Sequence, residues 1–437
     1  MRLSWLQIVR LGLVQMCIGA VVVLTTSTLN RLMVVELALP ALVPGALVAL
    51  HYGIQITRPS WGFRSDTKGN RTAFVIGGMG ALASGAFLAA LAVVIMPDTR
   101  TGGLLLSVLA YALIGLGAGA SGTSLLALLA TATDPRRRAA AATITWLMMI
   151  FGIAATAGTV GTLLQPYSPA LLLEIVGAVT AGAVLLTTAA IWGIERRVIA
   201  DRDPKPSPFR EGLAEIWREP RARAFTLFIF LSMTAYFLQE LILEPFAGLV
   251  FGFNPGQSTQ LSGAQNGGVF VGMLLVGIAS TGLRIGSLRF WVIFGCLGSA
   301  AALTVIAGLG LSGAGGLVPA VVAMGFFNGV FAVAAIGSMM ALAGAGREAR
   351  EGTRMGLWGA AQAIAAGFGG LLGAGAADVL RTVLSDPAAF GAVFLGEAAL
   401  FLISAVVAAS VIESAAPRRQ AEQTTDKTAD KTLVPGE

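Results

Sequence analysis

The chain has 437 residues, of which 56% are hydrophobic and only 12% charged, with 56 glycines and a mean hydropathy of +0.80. So little polar surface excludes a soluble globular enzyme or a cytoplasmic binding module. The formal net charge of +6 does not signal a nucleic-acid partner, because the basic residues are scattered over short loops rather than gathered on one folded face.

Apolar runs of about 20 residues, each able to cross a roughly 30 Å hydrocarbon layer as a helix, follow one another almost to the C-terminus. Met1–Val23 has no cleavage site in a polar setting and reads as a retained first helix. The first half gives six spans: Ile8–Leu29, Leu39–Thr57, Ala73–Met96, Leu104–Ala130, Ala140–Leu164 and Pro169–Ile194. The second gives Ala224–Leu243, Leu261–Ser280, Phe290–Leu311, Leu317–Ala345, Met355–Ala376 and Ala388–Ile412. With the N-terminus in the cytoplasm, all basic residues except Arg31, Arg100 and Arg381 fall on cytoplasmic segments, as the positive-inside rule requires. A multi-pass inner-membrane protein with both termini cytoplasmic follows.

The expected organisation is a six-helix half over residues 1–194, a cytoplasmic linker over 195–223, a second six-helix half over 224–415 and a disordered tail over 416–437. In the linker, Phe209, Leu213, Ile216 and Trp217 share one face of a short amphipathic helix between Pro208 and Pro220. That helix is a strap between the halves or a docking site. Cys17 and Cys296 sit alone in apolar runs of opposite halves and read as buried thiols.

Gly117, Gly119 and Gly122 match a nucleotide-loop spacing but lie inside the fourth span, where close helix packing explains them, as it explains Gly369 to Gly373. The sequon at Asn70-Arg-Thr72 is chance on a cytoplasmic loop. No metal cluster, nucleophile–base pair or phosphate loop emerges, so the chain reads as non-enzymatic.

The titratable groups inside the spans are few. His51 is the sole histidine and, counted from Pro40, lies ~16 Å into the second span. A neutral imidazole there ligates the magnesium of a chlorin, relays a proton, or bonds a neighbouring helix. Asn328 and Gln362 are the amides that could replace it as ligand. Glu397 is the deepest acid, near mid-membrane. Glu240 and Glu244 fall one turn apart beside Gln239 on the seventh span, and Glu174 lies near the same surface on the sixth. These acids form a polar cluster where the halves meet on the periplasmic side, or stand as interfacial carboxylates in water.

Between spans two and three, Gly62, Asp66, Gly69 and Arg71 resemble the G-x-x-x-D-x-x-G-x-R loop of the major facilitator superfamily. Its glycines permit a tight turn, and Asp66 accepts from helix N-termini or arginines to latch one conformation. The counterpart, Gly277 to Arg289, has no acid, which argues against a symmetric pair of latches. Leu29-Asn-Arg-Leu-Met-Val-Val-Glu36 and Pro59-Ser-Trp-Gly-Phe-Arg-Ser-Asp66 are similar to the PucC/LhaA family. So are the block from Leu238 through Glu240 and Glu244 to Gly248 and that from Phe253 to Leu261, and the resemblance covers nearly all of 1–415.

The resemblance implies an all-α, twelve-helix major facilitator-type bundle in two six-helix halves. It implies a membrane assembly factor that binds or delivers bacteriochlorophyll and assists assembly of light-harvesting antenna complexes. Its partners would be antenna polypeptides and membrane lipids, its membrane the inner or intracytoplasmic photosynthetic one, and His51 the possible axial ligand to the pigment magnesium. Mostly Gly, Ala, Leu, Val and Phe fill the spans, which suits a bulky amphiphile entering sideways from lipid. The competing reading is a proton-coupled secondary transporter of a small or lipid-like solute, with Glu397 or Glu240 as carrier.

Overall fold

With no water in the hydrocarbon layer, a spanning backbone must satisfy its own polar groups, and in this chain it does so by helix. The structure, a computed structural model, describes residues 2–58, 61, 70–134, 137–195, 217–283, 285–344 and 351–412. The loop carrying Gly62, Asp66 and Gly69, most of the expected amphipathic linker helix and the tail lie outside the described residues.

In chain order the helices are α1 (Trp5–Val23), α2 (Leu42–Ile54), α3 (Arg71–Ile95), α4 (Arg100–Ala132), α5 (Arg138–Leu163) and α6 (Pro169–Ile191). After 217 come α7 (Pro220–Leu238), α8 (Leu243–Phe251), α9 (Pro255–Gly277), α10 (Leu288–Ser312), α11 (Leu317–Gly344), α12 (Glu351–Arg381) and α13 (Asp386–Val411). Among the described residues, eleven stretches are long and apolar enough to cross a membrane, α7 and α8 counting as one, and α2 is a shorter apolar helix. The chain is a multi-pass membrane protein.

Helix starts follow local chemistry. Ser4 and Gln7 form a reciprocal cap on α1, Asn254 and Gln257 do the same on α9, and Ser168 and Ser287 cap α6 and α10. Asn70 of the chance sequon caps α3 by accepting from Ala73 N–H at 3.0 Å. Glu195 adds to that cap, taking the Arg71 and Thr72 N–H groups at 2.9 and 2.8 Å.

Three boundaries differ from the hydropathy reading. The first helix runs on past Leu29 to Glu36 through two wide π turns, Leu24–Leu29 and Leu32–Glu36. Its Thr-Thr-Ser-Thr-Leu-Asn-Arg stretch looks like a span end by composition, but those side chains are buried against the rest of the bundle. As a result α2 starts late and is short, which puts His51 in its last turn rather than at mid-span. The seventh span breaks between Leu238 and Leu243, so Glu240 sits in the break and Glu244 in the first turn of α8, not on one regular helical face.

Buried apolar side chains form two large cores, one from residues 3–194 with Leu241, the other from 225–412. In the first, α1 packs on α5 and α6, and α3 on α4; in the second, α7 packs on α12, and α10 on α11 and α13. The cores meet along two seams, α2 with α12 and α5 with α9. Close approach relies on small residues: a Cβ on Gly117 would lie 2.3 Å from the Leu82 nitrogen, and one on Gly373 2.2 Å from the Leu238 carbonyl oxygen. Cys17 and Cys296 are free and buried, one in each core.

Candidate functional site

Between the two cores lies a cavity of about 330 Å³. Its apolar wall includes Val22, Met149, Ile150, Ile153, Phe237 and Met273, and its polar lining includes Gln15, His51, Gln55, Arg58, Glu240 and Gln362. The spans are mostly apolar, as their composition indicates, but this cavity is not. Polar side chains are scarce along the spans, and several of them meet on this central surface, where desolvation costs least. The cavity reaches from Thr26 and Ser27 to Arg58 at the end of the second span.

The helical spacing of His51, Gln55 and Arg58 at i, i+4 and i+7 places all three on the cavity side of α2 and its 3₁₀ extension. Arg58 donates to Gln55 Oε1, which fixes the amide so that Gln55 Nε2 faces His51 Nε2 at 2.9 Å. An amide NH₂ is a donor only, so His51 Nε2 accepts, the ring is neutral and its proton is on Nδ1. Nδ1 is buried with no partner, and the ring edge packs on Tyr52 at 4.8 Å. The nitrogen best placed to ligate a magnesium is thus already engaged by Gln55.

Of the other candidates, Gln362 lines the cavity and Asn328 does not. Asn328 is buried in the second core, where its Oδ1 accepts from Ser299 Oγ at 2.7 Å and its Nδ2 is unpartnered. Glu397 is 0% exposed among core residues of α13, with neither oxygen hydrogen-bonded, and is also off the cavity. Glu174 stands exposed on α6. Glu240 and Thr26 both line the cavity; Glu244 is buried and accepts from Ser27. Arg71 is buried at the start of α3.

At the end away from Arg58, polar contacts close the gap between the halves. Asn30 Nδ2 donates to the Leu241 carbonyl at 2.8 Å, Thr28 and Thr259 hydroxyls meet at 3.2 Å, and Arg31 donates to Glu36 at 2.6 Å and to the Phe253 carbonyl at 2.7 Å. Asp378 of α12 reaches across to cap α2, accepting from Ala41 and Leu42 N–H at 2.9 and 2.7 Å. Sequence reasoning missed Gln55 and Arg58, whose spacing from His51 was a readable signal. It also missed Asp378 and Asn30, for which no local signal exists because the partners lie in the other half.

The sequence profile of the family described as PUCC protein matches residues 28–416. The chain belongs to the PucC family. Among its relatives, the "Bacteriochlorophyll synthase 44.5 kDa chain" of Rhodobacter capsulatus is 71% identical over 414 residues, covering 94% of this chain and 96% of that one. "Protein PucC" of Rhodovulum sulfidophilum is 28% identical over 398 residues, covering 86% of each. Among solved structures, a bacterial homologue of the human lysosomal transporter Spinster, inward-facing and occupied, superposes with a TM-score of 0.69 at 13% identity. It covers 94% of this chain and 98% of its own. A peptide transporter POT in complex with sulfate gives 0.67 at 14% identity, covering 93% and 94%. These likenesses show the fold alone, an all-α bundle like those of the two transporters, as the sequence led one to expect.

Proposed function

We propose that this PucC-family chain is a membrane assembly factor that holds bacteriochlorophyll in the cavity between its halves and passes it to light-harvesting antenna polypeptides in a phototrophic bacterium. The observation that carries the reading is near full-length kinship with a relative named for bacteriochlorophyll. The cavity supports it by its mixed lining: methionine, isoleucine and aromatic side chains suit a flat apolar macrocycle, and amides and Arg58 suit its carbonyl substituents. His51 can act as axial ligand only once Gln55 turns away.

The basic-residue pattern orients the bundle with Arg58 and both termini toward the cytoplasm, so the cavity opens to that side of the inner or intracytoplasmic membrane. We read the chain as a carrier rather than a catalyst, despite its relative's name. His51 bonds an amide instead of activating a nucleophile. The placement of Glu240 on the cavity is the one observation that favours a proton-coupled transporter.

An absorbance spectrum of protein purified from a pigmented host separates the two. Chlorin bands in stoichiometric amount are expected; a colourless protein that catalyses proton-driven solute uptake in vesicles would replace this reading with the transporter.

A further inference from the structure

The floor of the cavity carries buried oxygen atoms with nothing to bond. Glu244 is 2% exposed; its Oε1 accepts from Ser27, and its Oε2 has no hydrogen-bond partner. Asn30 is 0% exposed; it spends its amide N–H on the Leu241 carbonyl, which leaves Oδ1 at the same junction without a donor. Ser262 lines the cavity beside Ser27, and the nearby Ser258 hydroxyl donates to the Asn254 and Pro255 carbonyls at 3.2 and 3.1 Å. Buried acceptors are almost always paired, so two orphaned oxygens at one junction need an explanation.

The backbone there is irregular on both sides. The first span is wound into wide turns from Leu24 to Leu29, and the seventh is broken between Leu238 and Leu243. Wide turns mark functional positions, and broken spans within a membrane occur where backbone lines a cavity or an ion site. Ser27 and Ser262 line the cavity, so its floor leads to the carboxylate behind them. The nearest cation, Arg31, spends Nη1 on Glu36 and Nη2 on the Phe253 carbonyl and keeps a buried Nε without a partner. The junction is rich in acceptors, and this guanidinium is bonded to Glu36 rather than to Glu244.

We propose that Glu244, Asn30, Ser27 and Ser262 form a binding site for an alkali-metal cation of sodium's class. All four offer oxygen, the ligand atom of hard cations, and one carboxylate among neutral oxygens matches a single positive charge. Ser27 and Asn30 belong to the first half, Glu244 and Ser262 to the second. A bound ion therefore joins the halves at their closed end, whatever the cavity carries.

The test is thermal unfolding of the purified full-length chain in detergent, titrated with NaCl against choline chloride at equal ionic strength. Sodium is expected to raise the unfolding temperature saturably, as a ligand of the folded state does, and choline to do nothing. Glu244→Gln should raise the half-saturating sodium concentration roughly tenfold or more, the loss expected for a charge-assisted contact. Ser27→Ala should raise it less, and Glu174→Gln, at the exposed acid of α6, should leave it unchanged. Identical curves for the unmodified protein in the two salts overturn the proposal even if no variant folds. So does stabilisation that follows pH alone, since Glu244 is then a proton site.

Discussion

Gln55 decides what His51 can do. Its amide occupies the imidazole Nε2, so pigment binding through His51 requires that amide to swing toward Arg58 or into the cavity. His51→Leu keeps the apolar bulk, and its protein should accumulate normally while copurified pigment falls several-fold. Gln55→Leu frees Nε2 and should retain pigment at least as well as the parent. Equal retention by His51→Leu would make the histidine a packing residue. The face shared by His51, Gln55 and Arg58 was legible in their spacing. Its direction was not, because a helix apolar all round gives no sign of which side looks into the bundle. Two adjacent glycines show how local the packing constraint is. A Cβ on Gly77 meets nothing within 4 Å, whereas one on Gly78 would lie 2.5 Å from the Ser121 nitrogen. Gly77→Ala should be neutral or stabilise by roughly 0.5–1 kcal/mol. Gly78→Ala should cost about 1–3 kcal/mol by pushing α3 off α4, and unfolding midpoints of the two variants in detergent will show the contrast.

Among the elements, α2 depends directly on the other half. It is short, begins without a cap of its own, and takes its N-terminal cap from Asp378 of α12. Removing such a cap costs about 0.5–2 kcal/mol. Asp378→Ala should accordingly shift the balance toward opening of the closed end. With Thr28→Cys as reporter, alkylation by an impermeant reagent from that end should speed up by roughly two- to thirty-fold; an unchanged rate would mean the cap stabilises α2 alone. The existence of the spans was readable because the bilayer demands long apolar helices. The ends of the first and seventh were not. Buried polar residues such as Asn30, Arg31 and Glu244 carry these spans beyond their apolar runs, and each bonds a partner in the other half.

For the whole molecule, the orientation rests on charge. Cysteine placed at Arg100 should react with an impermeant reagent added from the periplasm, and cysteine at Arg137 should not; the reverse result would invert the bundle and the side to which the cavity opens. Hydropathy fixed the number of crossings, but the central cavity arises from how two apolar cores face each other, which composition cannot express. The most direct test of the account is to block that cavity. Ala363 lines it, and the two native thiols are buried, so Ala363→Cys offers one accessible thiol for a bulky maleimide. Protein purified with its pigment and then labelled should lose its chlorin absorbance, while the unlabelled variant keeps it. Chlorin bands that persist undiminished after complete labelling would place the pigment elsewhere on the protein and contradict the central claim.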